Sequence, residues 1–470
     1  MSAPQLRDYQ HDLIKRLRHT MRSARRVVVQ SPTGSGKTVL TAHMIRRAAE
    51  KNLRCWFLVH RRELLKQTSD ALWLSGVPHG LIAAGRTPTH DLVQVATVQT
   101  LVKRLGVVPP PSLLVIDEAH HTAAASYRQI VEHCAGAHIV GLTATPCRTD
   151  GRGLDDLFDA IVLGPAVADL MDAGYLARYR VICPPGAVDV SGVHIRGGDY
   201  ARDEMDAIVG QRSVVAGNVE HYLRFIAPRS CLVYTVSRAH ARLVEAAYRE
   251  AGVDAMYCGG DTPADERNVI VDRFKRGKLP VIVSVDLFSE GLDVPGLHSV
   301  QLLRPTKSLA LHLQQVGRAL RPEAGKEYAL ILDQTSNSHT HGLPDDERAW
   351  TLEGKKRSRK AEPLGPPIRN CPECFALYHA TLRECPACGH ETEATHRTPE
   401  EVEGELVEMS AAEFRAQRHE IGRARTLQEL VQVAKKRGKQ ISWAGILFAA
   451  RTGKDRAAMI REAYRIARAG

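Results

Sequence analysis

The stretch that most constrains this chain is Val27–Gln30, a β-branched run VVVQ, followed at once by SPTGSGKT (Ser31 to Thr38) and then by VLTAHMIRRAAE, which suits a helix. Strand, Gly-rich loop and helix in that order make a cradle for an anion at a helix N-terminus. Gly34 and Gly36 let backbone N–H groups turn toward phosphate oxygens, Lys37 brings a point charge to the outer phosphates, and the Thr38 hydroxyl is a ligand for Mg²⁺. Ser31, Thr33 and Ser35 complete the loop. Ser31 stands where the general pattern has Gly, which leaves the chemistry intact because the later glycines build the cradle.

A loop of this type needs a parallel sheet behind it, and further apolar runs supply one. CWFLVH from Cys55, VQVAT from Val93, LLVIDE from Leu113 and IVGLTAT from Ile139 alternate with helix-compatible segments. A second series, CLVYTV from Cys231, VIVSV from Val281, VQLLR from Val300 and YALILD from Tyr328, follows a less regular stretch around residues 165–215. Near-continuous apolar strands indicate sheets covered by helices on both faces. The fold class expected is α/β: two tandem domains of parallel sheets covered by helices, residues 1–164 and 165–336, plus a small zinc ribbon and a C-terminal helical module. Residues 337–368 read as linker, 369–391 as the ribbon and 392–470 as a basic helical tail.

Charge is unevenly placed. The chain carries +11 overall, residues 411–470 hold 14 Lys and Arg against 5 Asp and Glu, and KKRSRK (Lys355 to Lys360) adds another basic run. Cations gathered in the C-terminal third suit a polyanion, because each neutralised phosphate releases condensed counterions. A solvated basic face is the alternative reading. No stretch reaches the ~20 uninterrupted apolar residues of a membrane span. The N-terminus MSAPQLRDYQ lacks the apolar core of a signal peptide, so the expectation is a cytoplasmic protein with no membrane partner.

A carboxylate partner for the metal stands about 80 residues beyond the loop. Asp117 opens DEAH (Asp117 to His120) at the end of an apolar strand, where it can hold Mg²⁺ while Glu118 polarises an attacking water. With these two motifs in order, the chain resembles a superfamily-2 helicase, and other segments match that family's elements. LRDYQ (Leu6 to Gln10) resembles the adenine-reading element, with Gln10 as the contact. VHRRELLKQ from Val59 and ATVQT from Ala96 resemble motifs Ia and Ib, and GLTATP from Gly141 resembles motif III. In the second half YTVSR from Tyr234 resembles motif IV, GGDTP from Gly259 the element after it, SVDLFSEGLDVP from Ser284 motif V, and QQVGRALR from Gln314 motif VI.

The resemblance implies that the two domains are RecA-like and that ATP binds between them, with Gln314, Arg318 and Arg321 completing the catalytic set and Gly291 and Asp293 supporting the nucleotide. It also implies backbone-reading contacts to nucleic acid from His60, Arg61, Arg62, Thr97, Gln99, Ser237, Arg238 and Ser289. TATP and QQVGRALR resemble the repair and restriction branches, and GLTATPCR with LRPTKSLALHLQQVGRALRP is most similar to the RadD-like helicases. The implied partner is therefore DNA (single-stranded, forked or branched), with a single-stranded-DNA-binding protein as a further partner. An ATP-gated clamp, an RNA helicase and a restriction-system motor stay open.

Four of the ten cysteines are clustered: Cys371 and Cys374 in CPEC, Cys385 and Cys388 in CPAC. Two such knuckles converge four thiolates on a structural Zn²⁺, with His379 and His390 as substitutes. The other six, Cys55 and Cys231 among them, read as buried apolar residues. From Leu427 onward the tail reads as two helices around Gly438, with Trp443 in their core and Lys435, Lys436, Arg437 and Lys439 near phosphate.

Overall fold

A computed structural model describes residues 5–122, 125–148, 153–185, 188, 190, 192–288, 296–353, 367–392, 424, 426–436, 440–452 and 455–469. Ser289, Glu290, Gly291, Asp293, the Lys355 to Lys360 run, Arg437, Gly438, Lys439 and the Arg62 side chain lie outside the described residues. The chain divides into two units at residues 394 and 395, and the first contains both α/β lobes.

The first lobe has seven strands: β1 (Arg26–Gln30), β2 (Cys55–Val59), β3 (Gly80–Ile82), β4 (Val93–Thr97), β5 (Leu113–Ile116), β6 (His138–Thr143) and β7 (Ala160–Leu163). They lie in the order β3-β4-β2-β5-β6-β1-β7, and every pairing is parallel. The apolar runs are continuous because both faces are covered: Val27 and Val29 enter one core and Val28 the other, all fully buried. Register places Gln30 beside Thr143 and Ile116 beside Gly141. The phosphate loop, DEAH and the TAT turn therefore leave adjacent strands at one carboxyl edge, where open α/β sheets bind ligands.

The second lobe begins with β8 (Arg178–Ile182), continues through a hairpin, β9 (Ile195–Arg196) and β10 (Asp199–Tyr200), and then runs through β11 (Cys231–Tyr234), β12 (Ala255–Tyr257), β13 (Val281–Ser284), β14 (Ser299–Leu302) and β15 (Tyr328–Asp333). Its sheet does not stop there. The cysteine-bearing segment contributes β16 (Ile368–Asn370) and β17 (Ala376–His379), giving the order β12-β13-β11-β14-β15-β8-β17-β16 with β17 antiparallel to β8. The ribbon is thus an extension of the second lobe's sheet.

The expectation that residues 337–368 are linker needs correction over residues 337–353. Asp333, fully buried at the end of β15, accepts hydrogen bonds from the Thr335, Asn337 and Ser338 amides and so fixes the helix Asn337–His341. Arg348 then donates to the carbonyls of His341, Leu343, Pro344 and Asp346. Four residues later the chain has crossed to the first lobe, where the Leu352 carbonyl accepts from the Leu154 and Asp155 amides at 2.7 and 3.2 Å and its side chain packs on that lobe's core. Polar composition alone masks this strap, because its order comes from the buried Asp333 carboxylate and the half-buried Arg348 guanidinium.

Among its described residues the second unit has the two helices expected on either side of Gly438, Leu427–Lys436 and Ile441–Thr452, and a third beyond them, Arg456–Ala469. Leu430, Ala434, Ala444 and Ala463 are buried between them, and Trp443 packs against that core as expected. Among the described residues no helix is long and apolar enough to cross a membrane.

Replacing Leu352 by Asp places a charge against the first lobe's apolar surface. Hydrogen exchange at the Leu154 and Asp155 amides should accelerate by about tenfold, equivalent to about 1.4 kcal/mol of local stability. Unchanged protection at those amides would show that the strap is not held by this contact.

Candidate nucleotide site and nucleic-acid face

The loop after β1 has its two functional glycines in the left-handed region, Gly34 at φ +85° and Gly36 at φ +77°, where a side chain is strained. Gly36 caps the helix Lys37–Ala49, so the amides that follow face outward from a helix N-terminus. Ser31 Oγ and Ser35 Oγ lie 2.7 Å apart and lock the loop from below. Lys37 Nζ donates to the Ser31 and Pro32 carbonyls at 3.1 and 3.2 Å, and Thr38 stands exposed on the helix's first turn. Gln10 Nε2 donates to the Ser35 and Gly36 carbonyls, which sets the predicted adenine-reading residue against the loop's rim.

Burial lowers the Lys37 ammonium below its ordinary range, the Glu118 and Asp117 carboxylates oppose that, and Arg318 and Arg321 add to it. All four predicted charges therefore act on Lys37. Contact geometry agrees: a Cβ on Gly34 would stand 2.8 Å from Leu176 Cδ2 and 3.8 Å from Arg321 Cγ, and one on Gly317 would stand 2.6 Å from Thr33 Cβ. The motif VI helix, Leu309–Ala319, thus lies directly on the phosphate loop, and Gly317 is the position that permits it. Arg318 is buried there, and desolvation holds the Arg321 guanidinium below its ordinary range, with Tyr234 opposing. Two guanidinium groups and one ammonium with so little water around them form a site that strongly favours a polyanion.

DEAH turns sharply after β5. Glu118 adopts φ 48° and ψ 57°, a strained conformation for a residue with a side chain, and is 8% exposed. Its Oε2 lies 3.5 Å from His120 Nδ1 and has no hydrogen-bond partner. A buried carboxylate oxygen left open in this way is placed to accept a proton from a water molecule.

A relay that the sequence reading did not assign links the lobes beside it. The Thr143 hydroxyl donates to the Thr145 carbonyl, so it accepts from His120 Nδ1 at 3.0 Å. That leaves His120 Nε2 as acceptor for Gln314 Nε2 at 3.4 Å. The fourth letter of DEAH, the first Thr of TAT and the first Gln of QQVGR meet here, and nothing in their spacing announces it.

Of the predicted nucleic-acid contacts, Arg61 reaches across to the Asp286 carbonyl of the second lobe at 3.3 Å. Arg61 and Arg238 line one cavity of about 470 Å³ with Arg202, Tyr257 and Asp261, which brings motifs Ia and IV together. The His60 and His121 rings lie 4.7 Å apart between centroids, tilted by 40°, and Gln99 Nε2 is 3.5 Å from the His60 carbonyl. Two candidates have structural duties: Ser237 caps the helix Arg238–Glu250, and buried Thr97 donates to Thr100 Oγ1. Sequence reasoning also did not place Arg202, Arg304 and Asp199, which line a cavity with Arg61. Asp199 of the hairpin accepts from Thr306 Oγ1 and the Lys307 amide, while Arg304 and Arg202 both pair with Asp286.

The four cysteines converge. Cys371 and Cys388 sulfurs lie 3.6 Å apart and Cys374 and Cys385 sulfurs 3.7 Å, close to the about 3.8 Å edge of a tetrahedron of thiolates about 2.3 Å from a zinc ion. The two knuckles are built alike, with the Phe375 amide on the Cys371 carbonyl, the Gly389 amide on the Cys385 carbonyl, and both residues at positive φ. His379 belongs to a separate group with Asp345 and Asp346.

A phosphate loop, a DEAH carboxylate pair and facing arginines at the seam of two RecA-like lobes define a nucleotide-driven motor class. The family described as the type III restriction enzyme res subunit matches residues 3–148, and the helicase conserved C-terminal domain matches residues 218–323. A 51.5 kDa protein of a Lactococcus phage is 34% identical over 395 residues, covering 83% of this chain and 84% of its own. A candidate ATP-dependent helicase of Saccharomyces cerevisiae, IRC3, is 30% identical over 357 residues, and the match covers 71% of this chain and 52% of that protein. The fold is also similar to that of the ATP-dependent type ISP restriction-modification enzyme LlaBIII bound to DNA, with TM-score 0.54, 17% identity, and coverage of 71% of this chain and 28% of that one. The chain belongs to the superfamily-2 helicases and is an ATP-hydrolysing enzyme of that family.

Gly317→Val is expected to hold the motif VI helix off Thr33. Turnover should fall by about a hundredfold, the scale of a misplacement near 1 Å, while each lobe keeps its thermal midpoint. Wild-type turnover in that variant would mean that the contact is not needed for catalysis.

Proposed function

We propose that this protein is a DNA-stimulated ATPase motor of the RadD-like branch, moving along or unwinding single-stranded, forked or branched DNA in repair or recombination. The observation that carries the reading is the shared seam: Arg318 and Arg321 act on Lys37, while Arg61 and Arg238, one from each lobe, border a single cavity. Lys37 meets the outer phosphates, Thr38 and Asp117 hold Mg²⁺, Glu118 polarises the attacking water, and Arg318 and Arg321 neutralise the charge that develops. Gln314 couples that chemistry to DEAH through His120. ATP, when bound, supplies the phosphoryl group transferred to water. Closing and opening of the seam alters the spacing between gripping groups on the two lobes, which is what stepping requires.

Support for DNA comes from TATP and QQVGRALR and from the likeness to LlaBIII, whose structure contains DNA. The cysteine cluster holds a structural Zn²⁺ in this reading. Closed four-thiolate geometry leaves no position for chemistry, so the ribbon's work is folding and contact. A single-stranded-DNA-binding protein is the partner class such a role implies. A second reading, the motor of a restriction assembly, is favoured by the family matched over residues 3–148.

The test is the ATPase rate without nucleic acid and with single-stranded, duplex or forked DNA or RNA, paired with strand displacement on the same substrates. DNA should stimulate and forks should be displaced. Stimulation by RNA alone would overturn the DNA reading, and stimulation by duplex without displacement would favour the restriction-type motor. Lys37→Ala should abolish turnover and leave DNA binding intact. Cys374→Ser should lower bound zinc by one ion per chain in native mass spectrometry.

A further inference from the structure

Apart from the four cysteines, one other cluster of metal-ligating side chains stands out among the described residues: Asp345, Asp346 and His379, whose ligand atoms all lie within 4.8 Å of one another. Asp345 and Asp346 sit on the strap after the helix Asn337–His341, and His379 ends β17 of the ribbon. β17 runs antiparallel to β8, with Leu377 paired to Val181, and the Tyr179 hydroxyl of β8 donates to Asp345 Oδ1. Three separate segments therefore converge on one point.

The cluster is built to keep a carboxylate out of water. The Asp346 side chain has no exposure, and its Oδ2 accepts from the Leu343 amide at 2.8 Å. Gly342 makes the room, since a Cβ there would lie 2.2 Å from that Oδ2. Asp346 Oδ1 is buried and has no hydrogen-bond partner, and neither has His379 Nδ1. The nearby guanidinium of Arg348 directs its Nη protons to carbonyl oxygens of the strap. A buried carboxylate oxygen without a donor is costly unless a positive charge lies beside it.

Distance separates the two ways of supplying that charge. His379 Nε2 and Asp346 Oδ1 are 3.4 Å apart, longer than the range of about 2.7–3.2 Å for an N–H···O bond. Donors about 2.1 Å from a tetrahedral ion stand about 3.4 Å from each other. The Tyr179 hydroxyl bonded to Asp345 is the outer-layer support that metal-bound carboxylates usually have. A cavity of about 430 Å³ lined by Tyr179, Asp345 and His379 gives an ion and its waters a way in.

We propose that Asp345, Asp346 and His379 form a second divalent-cation site, distinct from the four cysteines, which fastens the ribbon to the strap. One imidazole and two carboxylates suit a first-row ion such as Zn²⁺ or Mn²⁺. The ion offsets the charge of the buried Asp346 and joins β17 to the segment that runs on to Leu352.

The full-length protein, equilibrated with excess Zn²⁺ and desalted, is weighed by native mass spectrometry beside His379→Ala, Asp345→Asn and Cys374→Ser. The wild type should carry two ions and each of the first two variants one fewer than the wild type. With Co²⁺, the thiolate charge-transfer band should persist in His379→Ala and vanish in Cys374→Ser, so loss of the ribbon's ion is distinguishable from loss of this one. Equal metal content in wild type and His379→Ala would overturn the proposal, leaving an Asp346–His379 ion pair only.

Discussion

The seating of the phosphate loop on the motif VI helix is the contact on which the rest of this molecule depends. Thr33 and Gly34 lie against Gly317, Leu176 and Arg321, and a Cβ at either glycine would collide with its neighbour. Backbone approach this close carries the buried Arg318 and the half-buried Arg321 to Lys37 without a long side-chain reach. Charges held in a dry seam act at low effective dielectric, so the same groups are worth far more there than on an exposed surface. The His120 relay runs beside it. Thr143 orients His120, and His120 receives Gln314, so a shift of the motif VI helix is felt at the turn that strains Glu118.

A second connection crosses the same seam from behind. Arg348 is anchored by four carbonyls on the second lobe's side and Leu352 by two amides of the first. Between Gln30 and Pro32 on one side and Leu313 and Val316 on the other, Arg348 and Trp350 line a cavity of about 240 Å³. Relative motion of the lobes must therefore be absorbed in the few residues from Arg348 to Leu352. Because β17 is paired with β8, the ribbon shares the second lobe's movement.

Much of the architecture is legible in residue order. β2, β5 and β11 are apolar throughout because helices cover both faces, and β1, β13 and β14 keep apolar runs between or beside a few polar residues, so these central strands are readable in the sequence. The strands that escape notice are β3, β7 and β12 at sheet edges, where short elements suffice, and β8, whose Arg178 and Arg180 break the pattern. The hairpin at β9 and β10 is likewise hidden, and with it Asp199, Arg202 and Arg304, whose pairing with Asp286 is long-range.

Sequence alone made the nucleotide-site motifs legible: SPTGSGKT, DEAH and QVGRALR can be read locally, since turn geometry and ligand type are properties of a few consecutive residues. It also specified the doubled cysteine knuckles, whose short spacing leaves few ways to converge. Only the tertiary structure decided that Gly317 lets the two halves touch, that His120 joins three motifs, that residues 337–353 are a strap, and that Asp345, Asp346 and His379 meet. Each of these is a contact between segments far apart in the chain, and such contacts exist only once packing has brought the segments together.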